Sequence, residues 1–97
     1  MIKVSRNDNV VINYLEQQIP YCSNRQKTFS YERENIYSYN SLLGTIDDKA
    51  KVLFIDIHIK SYSSATAKQT SKLVNGALRS GYKVLYLPLH LSPKKTI

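Results

Sequence analysis

The sequence predicts one small basic domain, residues 1–97, of the α+β class. We expect an antiparallel sheet of three to five strands with one long amphipathic helix, about residues 64–80, packed on one face. Two observations favour this fold. Apolar and polar residues alternate in the middle and near the end of the chain, as on half-buried strands, whereas residues 64–80 repeat apolar residues at helical spacing. A chain of 97 residues can bury one modest core.

The first twenty residues leave two interpretations open. After a short strand at residues 2–4, Asp8 or Asn9 can cap a short N-terminal helix that Pro20 would end. The β-branched residues at positions 10–12 also fit a strand at 9–15, but the helix is favoured. Its apolar residues recur at helical spacing: Val11, Ile12, Leu15 and Ile19.

The middle of the chain predicts three strands. Residues 26–33 alternate in polarity, and residues 36–46 and 51–60 flank a turn at 47–50, which is typical of a β-hairpin. A register with Ile46 opposite Lys51 divides the hairpin into two faces. The core face would carry Leu42, Leu53, Ile55, Ile57 and Ile59. The other face would carry Tyr37, Tyr39, Ser41, Asp56, His58 and Lys60.

The last third of the chain predicts a helix and a strand. Ser63 or Ser64 is a natural N-cap, and Gly81 suits the left-handed position that follows a helix. A strand at 82–91 with Pro88 at an edge and a frayed tail at 92–97 would follow. The helix has an apolar side with Ala67, Thr70, Leu73, Val74, Ala77 and Leu78. Its opposite side carries Lys68, Lys72, Asn75 and Arg79.

Charge is segregated along the chain. The formal net charge is +7, and no Asp or Glu follows Asp56. The segment after Asp56 therefore carries the whole positive excess, which favours encounter with a polyanion or an acidic protein surface. A solvated helix face is the competing interpretation of the same lysines.

No residue pattern indicates catalysis, a metal or a cofactor. The two histidines, His58 and His90, and the single Cys22 are too few and too scattered for a zinc site. Asp56 and His58 fall two residues apart on one predicted strand face, which is the only arrangement that suggests acid–base chemistry. We therefore expect a protein that is not an enzyme.

Tyrosine is unusually frequent, with eight residues and no tryptophan. Exposed tyrosines stack on bases or anchor protein interfaces. Combining tyrosines expected to be exposed with the basic residues of the last segment gives a predicted binding surface for nucleic acid or a partner. Its members are Lys60, Lys68, Lys72, Arg79, Lys83, Tyr37, Tyr39 and Tyr62.

Two stretches carry a resemblance to known proteins. Residues 38–41, SYNS, and 62–66, YSSAT, resemble a strand and a helix start found in small uncharacterised proteins of phages and mobile elements. The order of a helix, three strands and a basic helix is also similar to double-stranded-RNA-binding domains, which would make Lys68, Lys72 and Arg79 phosphate ligands. The first resemblance implies a phage-type accessory protein in the host cytoplasm.

Together these observations predict stoichiometric binding. The preferred partner is nucleic acid or a host protein that binds nucleic acid. The alternative is an anti-defence role, in which the protein inhibits a host enzyme or a CRISPR-like defence complex. No segment predicts a membrane span or a signal peptide. The sequence leaves undecided whether two copies form a homodimer that closes over the uncovered face of the sheet.

Overall fold

A computed structural model describes residues 3–60 and 62–89 of the chain. In this part of the chain, seven strands and two helices follow one another. They are β1 (Lys3–Ser5), α1 (Asn7–Glu16), β2 (Tyr21–Asn24), β3 (Phe29–Glu32), β4 (Asn35–Ser38), β5 (Ser41–Asp47), β6 (Val52–Asp56), α2 (Ser64–Arg79) and β7 (Lys83–Leu87).

All seven strands form one mixed sheet whose spatial order is the order of the sequence. Strands β2 to β6 make an antiparallel meander, and β1 and β7 add to its two ends in parallel. The α+β class is therefore confirmed. The prediction of a wholly antiparallel sheet of three to five strands was wrong, because parallel pairs formed through helical crossovers carry no turn signal in the sequence.

Each parallel pair is connected by a helix, and both helices lie on one face of the sheet. The two crossovers step across the sheet in the same direction, so the same handedness puts α1 and α2 on the same side. The helices contact each other where Gly76 faces Val11 and Leu15. Since β1 and β6 run in the same direction as β2 and β4, both helices begin at the edge where β2, β4 and β6 end. We call this edge the upper edge. The other face of the sheet is called the open face.

The helical interpretation of the N-terminal segment is confirmed, but its predicted limits were wrong. The N-cap residue of α1 is Arg6 without a side-chain cap, rather than Asp8 or Asn9. The helix stops before Pro20, because Gln17 adopts a left-handed φ of 54°. The side-chain amide of Gln17 donates to the carbonyl oxygens of Tyr14 and Arg33. Ile12 is half exposed, and Ile19 lies beyond the helix.

The predicted long helix is confirmed as α2. The Ser63 hydroxyl accepts the backbone N–H of Thr66 as an N-cap. At the other end, Gly81 has a φ of 86°, and the N–H groups of Gly81 and Tyr82 donate to Leu78 and Ala77. This pattern is a Schellman motif, in which only glycine takes the left-handed position without steric cost. The predicted apolar side was partly wrong, since Leu78 is 56% exposed.

The segment 36–46 is two strands rather than one. β4 and β5 are joined by a tight turn at residues 39–40, in which Tyr39 adopts a φ of 58°. A bulge between Ile36 and Tyr37 shifts the ladder and buries Leu43 in place of Leu42, which is half-buried. The turn was missed because Tyr39, rather than a glycine or an asparagine, takes the left-handed position.

The predicted hairpin register was also wrong. Ile46 pairs with Leu53 rather than with Lys51, because the turn between β5 and β6 extends over residues 48–51. Strand β6 ends at Asp56, so residues 57–60 form a turn and Ile57 is exposed. Ile59 packs against the core from that turn.

The core lies between the sheet and the two helices. Its members come from both helices and from the central strands: Val10, Val11, Tyr14, Leu15, Cys22, Phe29, Tyr31, Ile36, Leu43, Ile46, Leu53, Ile55, Leu73, Ala77 and Tyr82. The free Cys22 is buried among them. The predicted last strand is confirmed in part as β7, and the predictions for His90, Leu91 and the tail at 92–97 lie outside the described residues.

Candidate nucleic-acid interface

The outer side of α2 carries three exposed cations. Lys68, Lys72 and Arg79 all point to solvent, while the buried side of the helix holds Leu73 and Ala77. Lys72 is not an isolated charge, because its ammonium group lies 2.8 Å from an Asp8 carboxylate oxygen on α1. The hydrogen bond and the charge of Lys72 hold the pKa of Asp8 below its usual value. Part of the positive charge of the last segment is thus balanced by an acid from the first half of the chain.

The remaining basic residues of the predicted surface lie elsewhere. Lys60 is half-buried, and its ammonium group lies 5.6 Å from the centroid of the Tyr86 ring, a cation–π contact. Lys83 is the first residue of β7. The next residue, Val84, pairs with the buried Leu53 and so points to the core face. The Lys83 side chain is therefore on the open face, away from α2.

The three tyrosines of the predicted surface also separate. Tyr39 and Tyr62 are exposed, at 47% and 77% of their surfaces. Tyr37 is half-buried and lies on the open face, because its neighbour Ile36 points into the core. The structure therefore does not bring all eight predicted residues together: Lys83 and Tyr37 lie on one face of the sheet, and the α2 cations lie on the other.

Asn24 and Thr28 join four segments at the upper edge. The Asn24 side-chain oxygen accepts the backbone N–H groups of Thr28 and Phe29, and its nitrogen donates to Asn7 at the start of α1. The Thr28 carbonyl oxygen accepts the N–H of Tyr39 and the amide of Gln69 on α2. The β2–β3 turn is thereby tied to both helices and to the β4–β5 turn.

A directed chain of hydrogen bonds anchors α2 at the same edge. The Ser63 hydroxyl donates to Thr66, and the Ser38 hydroxyl at the end of β4 donates to Gln69. Since the single Ser38 proton is used on Gln69, the 2.8 Å contact between Ser38 and Thr66 has Thr66 as the donor. Ser38, Thr66 and Gln69 are all buried, so this chain orders the first two turns of α2 against the sheet.

The segments joined by these contacts carry further cations at the same edge as the start of α2, the helix that carries Lys68. Arg25 and Lys27 are exposed in the β2–β3 turn, and the exposed Arg6 immediately precedes α1. Within residues 3–60 and 62–89, none of these four cations forms an ion pair. Arg6, Arg25 and Lys27 were not predicted as part of the surface, because the acids of the first half of the chain balance them numerically. The combination of Arg25, Lys27 and a turn-forming Asn24 was the available signal.

We refer to these residues together as the upper-edge surface. It contains cations from three segments and two exposed aromatic rings: Arg6, Arg25, Lys27, Lys68, Tyr39 and Tyr62. The first turn of α2 adds no acidic residue. Phosphate groups are attracted to such a surface by charge, and nucleotide bases stack on exposed tyrosine rings.

A groove separates the outer sides of α1 and α2. Its volume is about 430 Å³, and its lining includes Ile12 of α1 and Lys72, Gly76 and Arg79 of α2. Asp8 of α1 also lines it. A lining that mixes apolar and charged residues suits a peptide segment better than a phosphate backbone.

The pair of residues that suggested acid–base chemistry is arranged differently from the prediction. Asp56 is fully buried at the end of β6, and its carboxylate accepts the backbone N–H of His58 at 2.8 Å. His58 lies in the following turn rather than on the strand. Among the described residues, no group of three or more His, Cys, Asp or Glu side chains is placed to hold a metal ion.

Comparisons with protein-family models, with curated proteins and with solved structures give no match to this chain. The resemblances to phage proteins and to double-stranded-RNA-binding domains therefore stay predictions. In the part of the chain that the structure describes, neither helix has the length and apolarity to cross a bilayer. What the fold defines is a small α+β protein built on a mixed sheet with both helices on one face.

Proposed function

We propose that this protein binds single-stranded nucleic acid at the upper-edge surface, without enzymatic activity. The observation that carries the proposal is the convergence, around Asn24 and Thr28, of cations from three segments with two exposed tyrosines. Arg79 adds an exposed cation further along α2, beyond Lys72, which is paired with Asp8. Cations of this kind supply affinity that does not depend on sequence, through contacts with phosphate groups.

The exposed tyrosines favour a single strand over a duplex. Tyr39 projects from a two-residue turn and Tyr62 immediately precedes the N-cap of α2, so both rings are free to stack on unpaired bases. A duplex hides its base faces and would use only the cations. Each stacking contact is worth about 1 to 3 kcal/mol by alanine substitution.

The test is fluorescence anisotropy with labelled single-stranded and duplex DNA and RNA at two salt concentrations. We expect single strands to bind more tightly, with a slope of log K against log salt of about −2 to −3 for three to four phosphate contacts. Lys27→Glu/Lys68→Glu should weaken binding by at least about tenfold. Tyr39→Ala should weaken binding to single strands but leave duplex binding unchanged.

The matched control is Lys49→Glu/Lys83→Glu, which makes the same change in net charge. Lys49 lies in the β5–β6 turn at the opposite edge of the sheet, and Lys83 is on the open face. Equal loss of affinity in the control and in Lys27→Glu/Lys68→Glu would show that net charge, and not the upper-edge surface, is responsible. Absence of binding to any oligonucleotide at low salt would refute the proposal.

A second candidate function, inhibition of a host enzyme or defence complex by protein binding, is favoured by the groove between α1 and α2. Its apolar lining residue Ile12 and its cations Lys72 and Arg79 fit a partner segment with apolar and acidic side chains. In that case a host protein would be captured by the wild type and by Lys27→Glu/Lys68→Glu but not by Ile12→Asp. Oligonucleotides would then fail to bind.

A further inference from the structure

The exposed apolar side chains are concentrated at the outer edge of β7. Leu85, Tyr86 and Leu87 retain 48%, 44% and 42% of their surfaces, and Leu78, one turn after the Val74 that lines a pocket with Tyr86, retains 56%. Ile57 donates its backbone N–H to Leu87 and is also exposed. An apolar edge strand of this kind is a template for pairing with another strand.

The backbone groups that β7 offers to a partner follow from its pairing with β6. The Lys83 N–H donates to Lys51, and the Leu87 carbonyl oxygen accepts from Ile57, so both residues direct their backbone groups toward β6. Because this direction alternates along a strand, the N–H and C=O groups of Val84 and Tyr86 point outward. No strand pairs with this side of β7 among residues 3–60 and 62–89.

We propose that two copies of this protein dimerise by antiparallel pairing of their β7 strands across a two-fold axis at Leu85. In this register the outward-facing Val84 of one copy pairs with Tyr86 of the other, and each such pair exchanges both of its backbone hydrogen bonds. The two Leu85 side chains meet at the axis as a pair without hydrogen bonds. The proposal does not depend on the proposed nucleic-acid binding.

The alternative two-fold registers are less suitable. Centring the axis on Tyr86 would place Val84 opposite Pro88, which follows β7 and lacks an N–H to donate. Centring it on Val84 would require Tyr82, whose N–H already donates to Ala77 in the cap of α2. Only the Leu85 register pairs all five residues of β7 with partners that can complete the ladder.

The side chains also fit a second copy. Val84 and Tyr86 form cross-strand apolar pairs on the helix face of the sheet. Lys83 lies opposite Leu87 of the other copy, so the two Lys83 charges are at opposite ends of the paired strands. The dimer extends the existing sheet and leaves the rest of the open face uncovered, unlike a dimer that closes over that face.

The first test is sedimentation velocity over a concentration series. An edge of five residues buries less than the roughly 800 Å² per partner of a standard interface, so a dissociation constant on the order of micromolar is expected. Leu85→Lys should raise this constant at least about tenfold, because the two introduced lysines would meet at the two-fold axis and like charges directly opposite each other destabilise strand pairing. Ile12→Lys is the matched control, because Ile12 is 51% exposed on α1, and it should leave the constant unchanged.

Cysteine cross-linking tests the register with milder substitutions. Paired residues without hydrogen bonds have Cα atoms about 4.5 Å apart, within the range of a disulfide. Leu85→Cys should form a disulfide dimer on oxidation, while Lys83→Cys alone should not. A mixture of Lys83→Cys and Leu87→Cys proteins should form the mixed dimer. The native Cys22 is buried and does not interfere.

Each contrary result would overturn the proposal. A wild-type protein that stays monomeric up to about 0.5 mM excludes a dimer of the expected strength. Dimerisation that persists unchanged in Leu85→Lys places the contact elsewhere. Equal cross-linking of Leu85→Cys and Lys83→Cys contradicts the register even if the lysine variant fails to fold.

Discussion

A methyl group added at Gly76 would meet the side chain of Val11 directly. A Cβ at this position lies 2.8 Å from Val11 Cγ1 and 3.3 Å from Leu15 Cδ1. Val11 is β-branched and sits in α1, where valine has one strongly preferred rotamer, so it cannot easily turn away. Gly76→Ala therefore tests whether the close approach of α1 and α2 requires a residue without a side chain.

Two opposing contributions set the expected magnitude. Alanine is favoured over glycine within a helix by about 1 kcal/mol. Overpacking of a close contact costs about 1 to 3 kcal/mol. We expect Gly76→Ala to lower the free energy of unfolding by about 1 kcal/mol, the difference between the two.

A double-mutant cycle separates the contact from helix propensity. Val11→Ala removes the two γ-methyl groups and should lower the free energy of unfolding by about 2 kcal/mol, through lost burial and a cavity. With Val11 shortened, Gly76→Ala should instead stabilise the protein by up to about 1 kcal/mol. The coupling energy between the two positions is then about 2 kcal/mol.

Equilibrium unfolding in urea measures these free energies. Ser71→Ala is the control, because Ser71 is exposed on the same helix and gains helix propensity without a new contact. It should stabilise the protein by a few tenths of a kcal/mol. If Gly76→Ala alone stabilised the protein by about 1 kcal/mol, the inferred close packing of the helices would be refuted.

Three further predictions concern the ends of α2 and the buried polar groups. Ser38→Ala leaves Gln69 without its hydroxyl donor and should cost about 1 to 3 kcal/mol in urea unfolding, whereas the exposed Ser41→Ala should cost under about 0.5 kcal/mol. Gly81→Ala forces a side chain into a left-handed conformation and should lower the free energy of unfolding by about 1 to 2 kcal/mol, and a neutral effect would contradict the cap. Burial, with a hydrogen bond to a carboxylate, raises the pKa of Tyr82 from 10.0 to about 12. Since the raised pKa favours the neutral phenol in the folded state, stability should fall between pH 10 and 12, and an equally steep fall in Tyr82→Phe would argue against this assignment.

The features predicted correctly are those specified by neighbouring residues. The cap at Ser63, the apolar spacing through Leu73 and Ala77, and Gly81 all act within a few residues of one another. The limits of α2 therefore follow from local rules. The end of α1 does not follow from local rules. Gln17 takes a left-handed conformation there, and its side-chain amide donates to the carbonyl oxygen of Arg33, sixteen residues away.

The strand pairing was harder to predict because its signals are weak or distant. The turn between β4 and β5 uses Tyr39 at positive φ, where glycine or asparagine is the usual choice. Its conformation is supported by the carbonyl oxygen of Thr28 in another turn. Residues 21–24, which form β2, carry no clear alternation, and three of the four side chains are buried.

The candidate site was predicted only in part for a related reason. The exposed cations of α2 and the exposed Tyr39 and Tyr62 follow from helical spacing and from turn positions. Lys83 and Tyr37 were grouped with them by charge and residue type, although strand alternation in the true register puts both on the open face. Arg25 could not be assigned to this surface from the sequence, because it is the contact between Asn24 and Asn7 that holds the β2–β3 turn against α1.

The topology itself makes the upper edge electropositive. Because both crossovers follow strands that run in one direction, α1 and α2 begin at the same edge, and the positive ends of both helix dipoles lie there. In α1 this effect is offset by Asp8, but the charge of Asp8 is in turn balanced by Lys72. The first turn of α2 has no acid, so its dipole adds to Lys68 and to the cations of the β2–β3 turn. Attraction of phosphate groups to this edge therefore depends on strand order as well as on individual residues.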